Sequence, residues 1–130
     1  MSKAAELAAL IGSQSALSDR NMIINGAMQV AQRGTSSTGQ GGSDLFLVDR
    51  FHLNTNGNSA GRFTVTQESD GPSGIPNSLK LACTTADTSI AASERFFIEQ
   101  RLEGQNLQRI KKGTSDAQAI TVSFYVKGNA

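Results

Sequence analysis

The residues able to do chemistry are few. His52 is the only histidine, and Asp49, Arg50 and Phe51 precede it. A histidine, an aspartate and a serine can form a nucleophilic triad, in which imidazole takes the hydroxyl proton and the carboxylate holds the tautomer. Serine is plentiful, yet none of the serines sits in a strand–turn–helix nucleophile elbow. Strand alternation sets His52 opposite Phe51 and Leu53, toward solvent, so it reads as a surface histidine. Cys83 is the single cysteine and alternates with Lys80, Ala82 and Thr84 on the Leu79 and Leu81 side. There it reads as a small buried hydrophobe. With one His and one Cys, a zinc site of those ligands would need carboxylates or a second chain. Asp70, Asp87, Glu94, Glu99 and Glu103 lack calcium-loop spacing and read as surface charge. No catalytic, metal-binding or cofactor-binding residue is assigned, and the chain reads as a non-enzyme.

Two further groups are candidates for contact rather than catalysis. Phe97 stands on a charged strand face with Arg95, Glu99 and Arg101, and Tyr125 stands on the polar face of the last strand. With His52 they could form an aromatic platform, because sugar rings stack on aromatic faces. Phe97 and Tyr125 are therefore the candidate glycan contacts, with a cross-strand packing pair as the alternative. Asp49 lies between Leu47 and Phe51 in the alternation and reads as structural.

These residues need elements to position them. Residues 3–11 are strong helix formers, with Ser2 placed to cap the start and Gly12 to stop it. About ten residues do not hold a helix alone in water, so its apolar face must dock. It packs either on its own domain or on another subunit, and Leu7, Leu10 and Ile11 are the candidate anchor. Residues 13–20 read as a polar linker. Strands are expected at 22–24, 27–31, 45–53, 62–66, 79–84, 95–102 and 120–127, with turns at Asn25-Gly26 and 70–77 and a loop over 34–44. The last strand has the most regular alternation: Ile120, Val122, Phe124 and Val126 against Thr121, Ser123, Tyr125 and Lys127. Six or seven short strands with polar turns give an all-β fold, a sandwich or jelly roll, behind a short N-terminal helix.

Composition bounds the partners. Of the 130 residues, 42 are Ser, Thr, Asn or Gln, which suits polar loops between strands. Net charge +1 gives no electrostatic reason to expect nucleic acid. No apolar run approaches the roughly 20 residues that cross a bilayer, so no membrane insertion is expected. The mass of 13.7 kDa suits one domain.

Several stretches carry a resemblance. Residues 21–35, with Ile23-Ile24-Asn25-Gly26-Ala27-Met28-Gln29-Val30 at their centre, resemble the start of a virion structural protein family of tailed bacteriophages, including marine and cyanobacterial phages. The resemblance runs through Val48-Asp49-Arg50-Phe51, residues 77–81 and residues 98–104, and includes residues 2–12 ahead of it. Residues 120–128 are similar to the central strand of jelly-roll carbohydrate-binding modules. The resemblance implies a tail fibre or receptor-binding component of the virion. It would be attached through residues 1–20, homo-oligomeric and trimeric, with the sandwich from residue 21 facing host-surface glycan. The same fold could serve as a capsid decoration protein, and a glycan-degrading enzyme is the remaining alternative. A jelly roll needs eight strands, and the carbohydrate-module strand normally has more strands after it. The expectation is therefore a sandwich completed by a C-terminal extension or by a neighbouring chain.

Overall fold

The computed structural model describes residues 2–12, 21–56 and 60–128, and leaves aside the side chains of residues 8–12 and Asn56. The expected linker 13–20 lies outside the described residues, as do residues 57–59 and the side chains of Leu10 and Ile11. Helix α1 spans Lys3–Gly12. Ser2 caps it through a 3.3 Å bond from the Ala5 N–H to its hydroxyl oxygen, and Glu6 places an acid in the first turn. Leu7 of this helix is 56% exposed among the described residues.

The body is all-β and antiparallel. Five strands are described: β1 (Ser36–Gln40), β2 (His52–Asn56), β3 (Arg62–Glu68), β4 (Ser78–Thr85) and β5 (Arg95–Glu99). They form a three-stranded sheet in the order β1-β3-β4 and a two-stranded sheet of β2 and β5. Val65 pairs with Leu81 and Gln67 with Leu79, so Leu79 and Leu81 share the face on which Val65 is fully buried. Leu47, Leu53 and Val65 form the core cluster, and Leu45, Leu79 and Leu81 pack against it. Phe63 of β3 meets Phe96 of β5 at 4.3 Å between ring centroids, which joins the two sheets.

The expected strand over 45–53 is instead a tight hairpin. Val48, Asp49 and Arg50 turn, Arg50 takes a left-handed φ of 73°, and the Phe51 N–H bonds the Val48 carbonyl at 3.1 Å. Leu45 and Leu53 then exchange both backbone bonds, at 2.9 and 2.8 Å. The alternation of Leu45, Leu47 and Leu53 was real, but it belongs to two arms that fold onto one core.

Residues 22–31 form no strand either. Asn25 at φ 59° and Met28 at φ 53° break the extended backbone, around the turn expected at Asn25-Gly26. Side-chain amides take over the backbone groups of this segment. Gln100 accepts the Ile24 N–H and donates to the Ile24 carbonyl, both at 2.8 Å. Gln67 donates to the carbonyls of Met28 and Gln29. The loop expected at 34–44 contains β1, which Gly34 and Gly41 flank at positive φ, with Gly39 at positive φ inside it. A 3-10 helix follows β5 at Gly104–Ile110.

The largest departure is at 120–127. These residues carry the best alternation in the chain and form no ladder among the described residues. An alternating pattern becomes a strand only where a neighbour supplies its hydrogen bonds, and no described strand lies beside this segment. Cys83 also departs from expectation: it is exposed. It pairs with Phe63 one residue short of a register shift, at an end of β4 where residues 83–85 are all exposed.

Candidate functional site

His52 is buried, at 4% exposure, and this overturns its reading as a surface histidine. The hairpin is the cause. Pairing Leu45 with Leu53 puts Phe46 opposite His52, on the face away from the leucines. The Phe46 ring stacks on the imidazole at 4.2 Å and 16°. On the other side of β2, His52 pairs with Glu99 of β5. The imidazole is thus covered from the hairpin and held from the sheet.

Its two nitrogens meet two carboxylates on unequal terms. Nδ1 lies 2.7 Å from Glu99 Oε1 in an aligned hydrogen bond. Nε2 lies 3.2 Å from Asp44 Oδ2, but the alignment fails and Nε2 has no hydrogen-bond partner. The first contact is the one that holds the ring, since hydrogen bonding weakens steeply off axis. Glu99 also accepts from Arg101, at 2.7 Å from Nη2 and 3.0 Å from Nε. The bond from His52, and then Arg101, hold the Glu99 carboxyl below the usual carboxylate range. With Glu99 ionised, Nδ1 is the donor, which sets the tautomer.

An open hollow of about 350 Å³ lies over this cluster, lined by Gln32, Arg33, Phe46, Asp49, Arg50, His52 and Arg101. Arg33 sits 5.3 Å above the Phe46 ring, in cation–π range. Arg50 pairs with Glu103 at 3.5 Å. Asp49 is structural, as its place in the sequence suggested. Its N–H bonds the Val30 carbonyl at 2.9 Å, its Oδ1 accepts from the Gln32 N–H at 3.1 Å, and its carbonyl accepts from Asn25 Nδ2 at 3.0 Å. Asn25 Oδ1 in turn accepts the N–H groups of Gln29 and Val30, both at 3.0 Å. Residues 25–32 and the turn at Val48-Asp49-Arg50 therefore meet in space and brace each other.

The arrangement orients a histidine through Glu99, as a general base is oriented in a triad. The hollow's lining offers it no serine, threonine or cysteine. Among the described residues no group of three or more His, Cys, Asp or Glu is placed to hold a metal ion. No described helix is long and apolar enough to cross a membrane. The three residues of the candidate aromatic platform stand on three separate segments. His52 lies under Phe46, Phe97 stands in β5 paired with Asn54, and Tyr125 stands on the unpaired segment at 78% exposure. Sequence reasoning missed Asp44, Phe46 and Glu99 as neighbours of His52. The signal available was the Val48-Asp49-Arg50 interruption, read there as part of a strand.

No protein family, curated protein or solved structure matches the chain.

Proposed function

We propose that this chain is a structural protein of a tailed-phage virion, a tail-fibre or receptor-binding component rather than an enzyme. The observation that carries this reading is the imbalance between core and surface. Only Leu47, Val48, Leu53 and Val65 are buried apolar residues among those described, whereas Leu7, Phe97, Val122, Phe124, Tyr125 and Val126 are exposed. Large exposed apolar side chains beyond scattered single residues mark interaction sites, and subunits of assemblies cover them with one another. In this reading α1 and the residues up to 20 attach the chain to the virion through Leu7, Leu10 and Ile11. The body is a jelly-roll-like sandwich completed in a homo-oligomer, a trimer by the resemblance, and it faces host-surface glycan.

The test is deletion of residues 1–20. The shortened chain is expected to keep its far-ultraviolet circular dichroism and melting transition, and to be missing from purified particles. Full incorporation of the shortened chain would sink the anchor. Binding of the intact chain to the head alone would move it to the decoration role. Release of sugars from host polysaccharide by the purified protein would establish an enzyme instead.

A further inference from the structure

We infer that residues 120–127 of one copy add as a β-strand to the open edge of β5 in a second copy. Ile120, Val122, Phe124, Tyr125 and Val126 are each more than half exposed, in a segment whose alternation suits a strand with one apolar face. Within its own chain the segment is held at its ends. The Gln118 N–H bonds the Ile110 carbonyl at 2.9 Å, and Lys127 Nζ reaches Asp70 at 3.8 Å. Between those ties its backbone donors and acceptors meet no ladder. An unpaired strand with exposed apolar side chains is a template for pairing with another chain.

β5 is the edge that matches it. It ends the two-stranded sheet, with β2 on one side only. Phe96, Phe97 and Ile98 are all exposed there, so the edge is apolar on both faces. β4 is also an edge, but its exposed residues are Lys80, Cys83, Thr84 and Thr85. A parallel register with Tyr125 beside Phe97 brings Phe124 beside Phe96 and Val126 beside Ile98. It also brings Lys127 beside Glu99, so opposite charges meet and no like charges are opposed. Phe124 and Tyr125 are 79% and 78% exposed. Together they offer on the order of 300 Å². The covered β5 edge doubles that, and a reciprocal exchange doubles it again to about 1,200 Å², within the range of stable interfaces.

This deepens the assembly reading above and rests on it only for the partner's being another copy. Particle localisation and self-association are measured separately, so either can fail alone. The purified full chain is expected to sediment as a dimer or larger closed ring. Phe124→Lys, and Val122→Pro, which removes a backbone donor, should each weaken association at least tenfold with far-ultraviolet circular dichroism unchanged. In a Cys83→Ser background, chains carrying Phe97→Cys are mixed with chains carrying Tyr125→Cys and oxidised. A disulfide-linked heterodimer is the expected product. A monomeric wild-type chain, retention of the oligomer by both variants, or a lack of heterodimer would overturn the proposal. So would a disulfide closing within one chain that carries both cysteines.

Discussion

Phe46 and His52 provide a direct test of the hairpin, because a straight strand and a hairpin place them at very different distances. In a straight strand, six residues at about 3.3 Å each separate them by roughly 20 Å, and they share no contact. In the structure their rings are stacked at 4.2 Å. Stacked aromatic pairs are worth about 0.5–1.5 kcal/mol beyond the area they bury. A double-mutant cycle of Phe46→Ala and His52→Ala should therefore give a coupling energy of about 1 kcal/mol. The single variants should lose unequal amounts. His52 is 4% exposed and Phe46 is 44% exposed, so His52→Ala should cost more. The assay is urea unfolding followed by circular dichroism at neutral pH, with the m-value checked for constancy across the four proteins. His52→Phe adds a control, since it keeps a ring on Phe46 and loses the bond to Glu99. A coupling energy indistinguishable from zero, with both single variants near wild type, would refute the hairpin and return His52 to the surface.

The other expectations concern pH, the Asn25 clamp and two glycines. The Glu99 carboxyl is held low by His52 first and Arg101 second. Its contribution is therefore full above the unfolded-state pKa and is lost as pH falls through the lower folded-state value. Urea midpoints should fall on acidification, and Glu99→Gln should flatten that limb; an unchanged limb would contradict the His52–Glu99 bond. Asn25→Ala should cost about 1–3 kcal/mol, because it removes the side-chain partner of Gln29 and Val30 and puts alanine at a left-handed φ. Asn25→Gly should recover the backbone part alone, and a melt that fails to separate the two variants would argue against the clamp. At Gly41 an added Cβ would lie 2.2 Å from the Gly61 carbonyl oxygen at φ +153°, whereas at Gly42 nothing lies within 4 Å. Gly41→Ala should lower the melting temperature well beyond Gly42→Ala, and equal tolerance would show that the β1 loop is not packed there.

What the sequence revealed was local order, and what it hid was pairing. The helix could be read from Lys3 to Ile11 because its formers and caps act within a few residues. β3 and β4 were legible because Phe63, Val65, Leu79 and Leu81 alternate within single straight strands. The hairpin at 45–53 was hidden because Leu45, Leu47 and Leu53 keep the same parity whether the chain runs straight or folds back. Only the sharp turn at Arg50 separates the two, and arginine is not a residue that announces a left-handed backbone. Segment 22–31 was hidden for a different reason. Its backbone groups are met partly by Asn25 within it and partly by Gln67 and Gln100, far along the chain, and no local pattern encodes a distant side-chain amide standing in for a strand. Residues 120–127 show the converse, since their alternation is strong but no described strand pairs with them. The burial of His52 follows from the hairpin, so the candidate site was legible only as a set of residues and not as a cluster.

That this chain is a virion component attached by its N-terminus, as proposed above, is tested by a density map of the tailed-phage particle into which it would assemble. Copies are expected on the tail, with α1 seated on a neighbouring virion protein and the antiparallel sheets facing outward with 120–127 paired to an adjacent copy. A particle map that accounts for its protein density without this chain would contradict it.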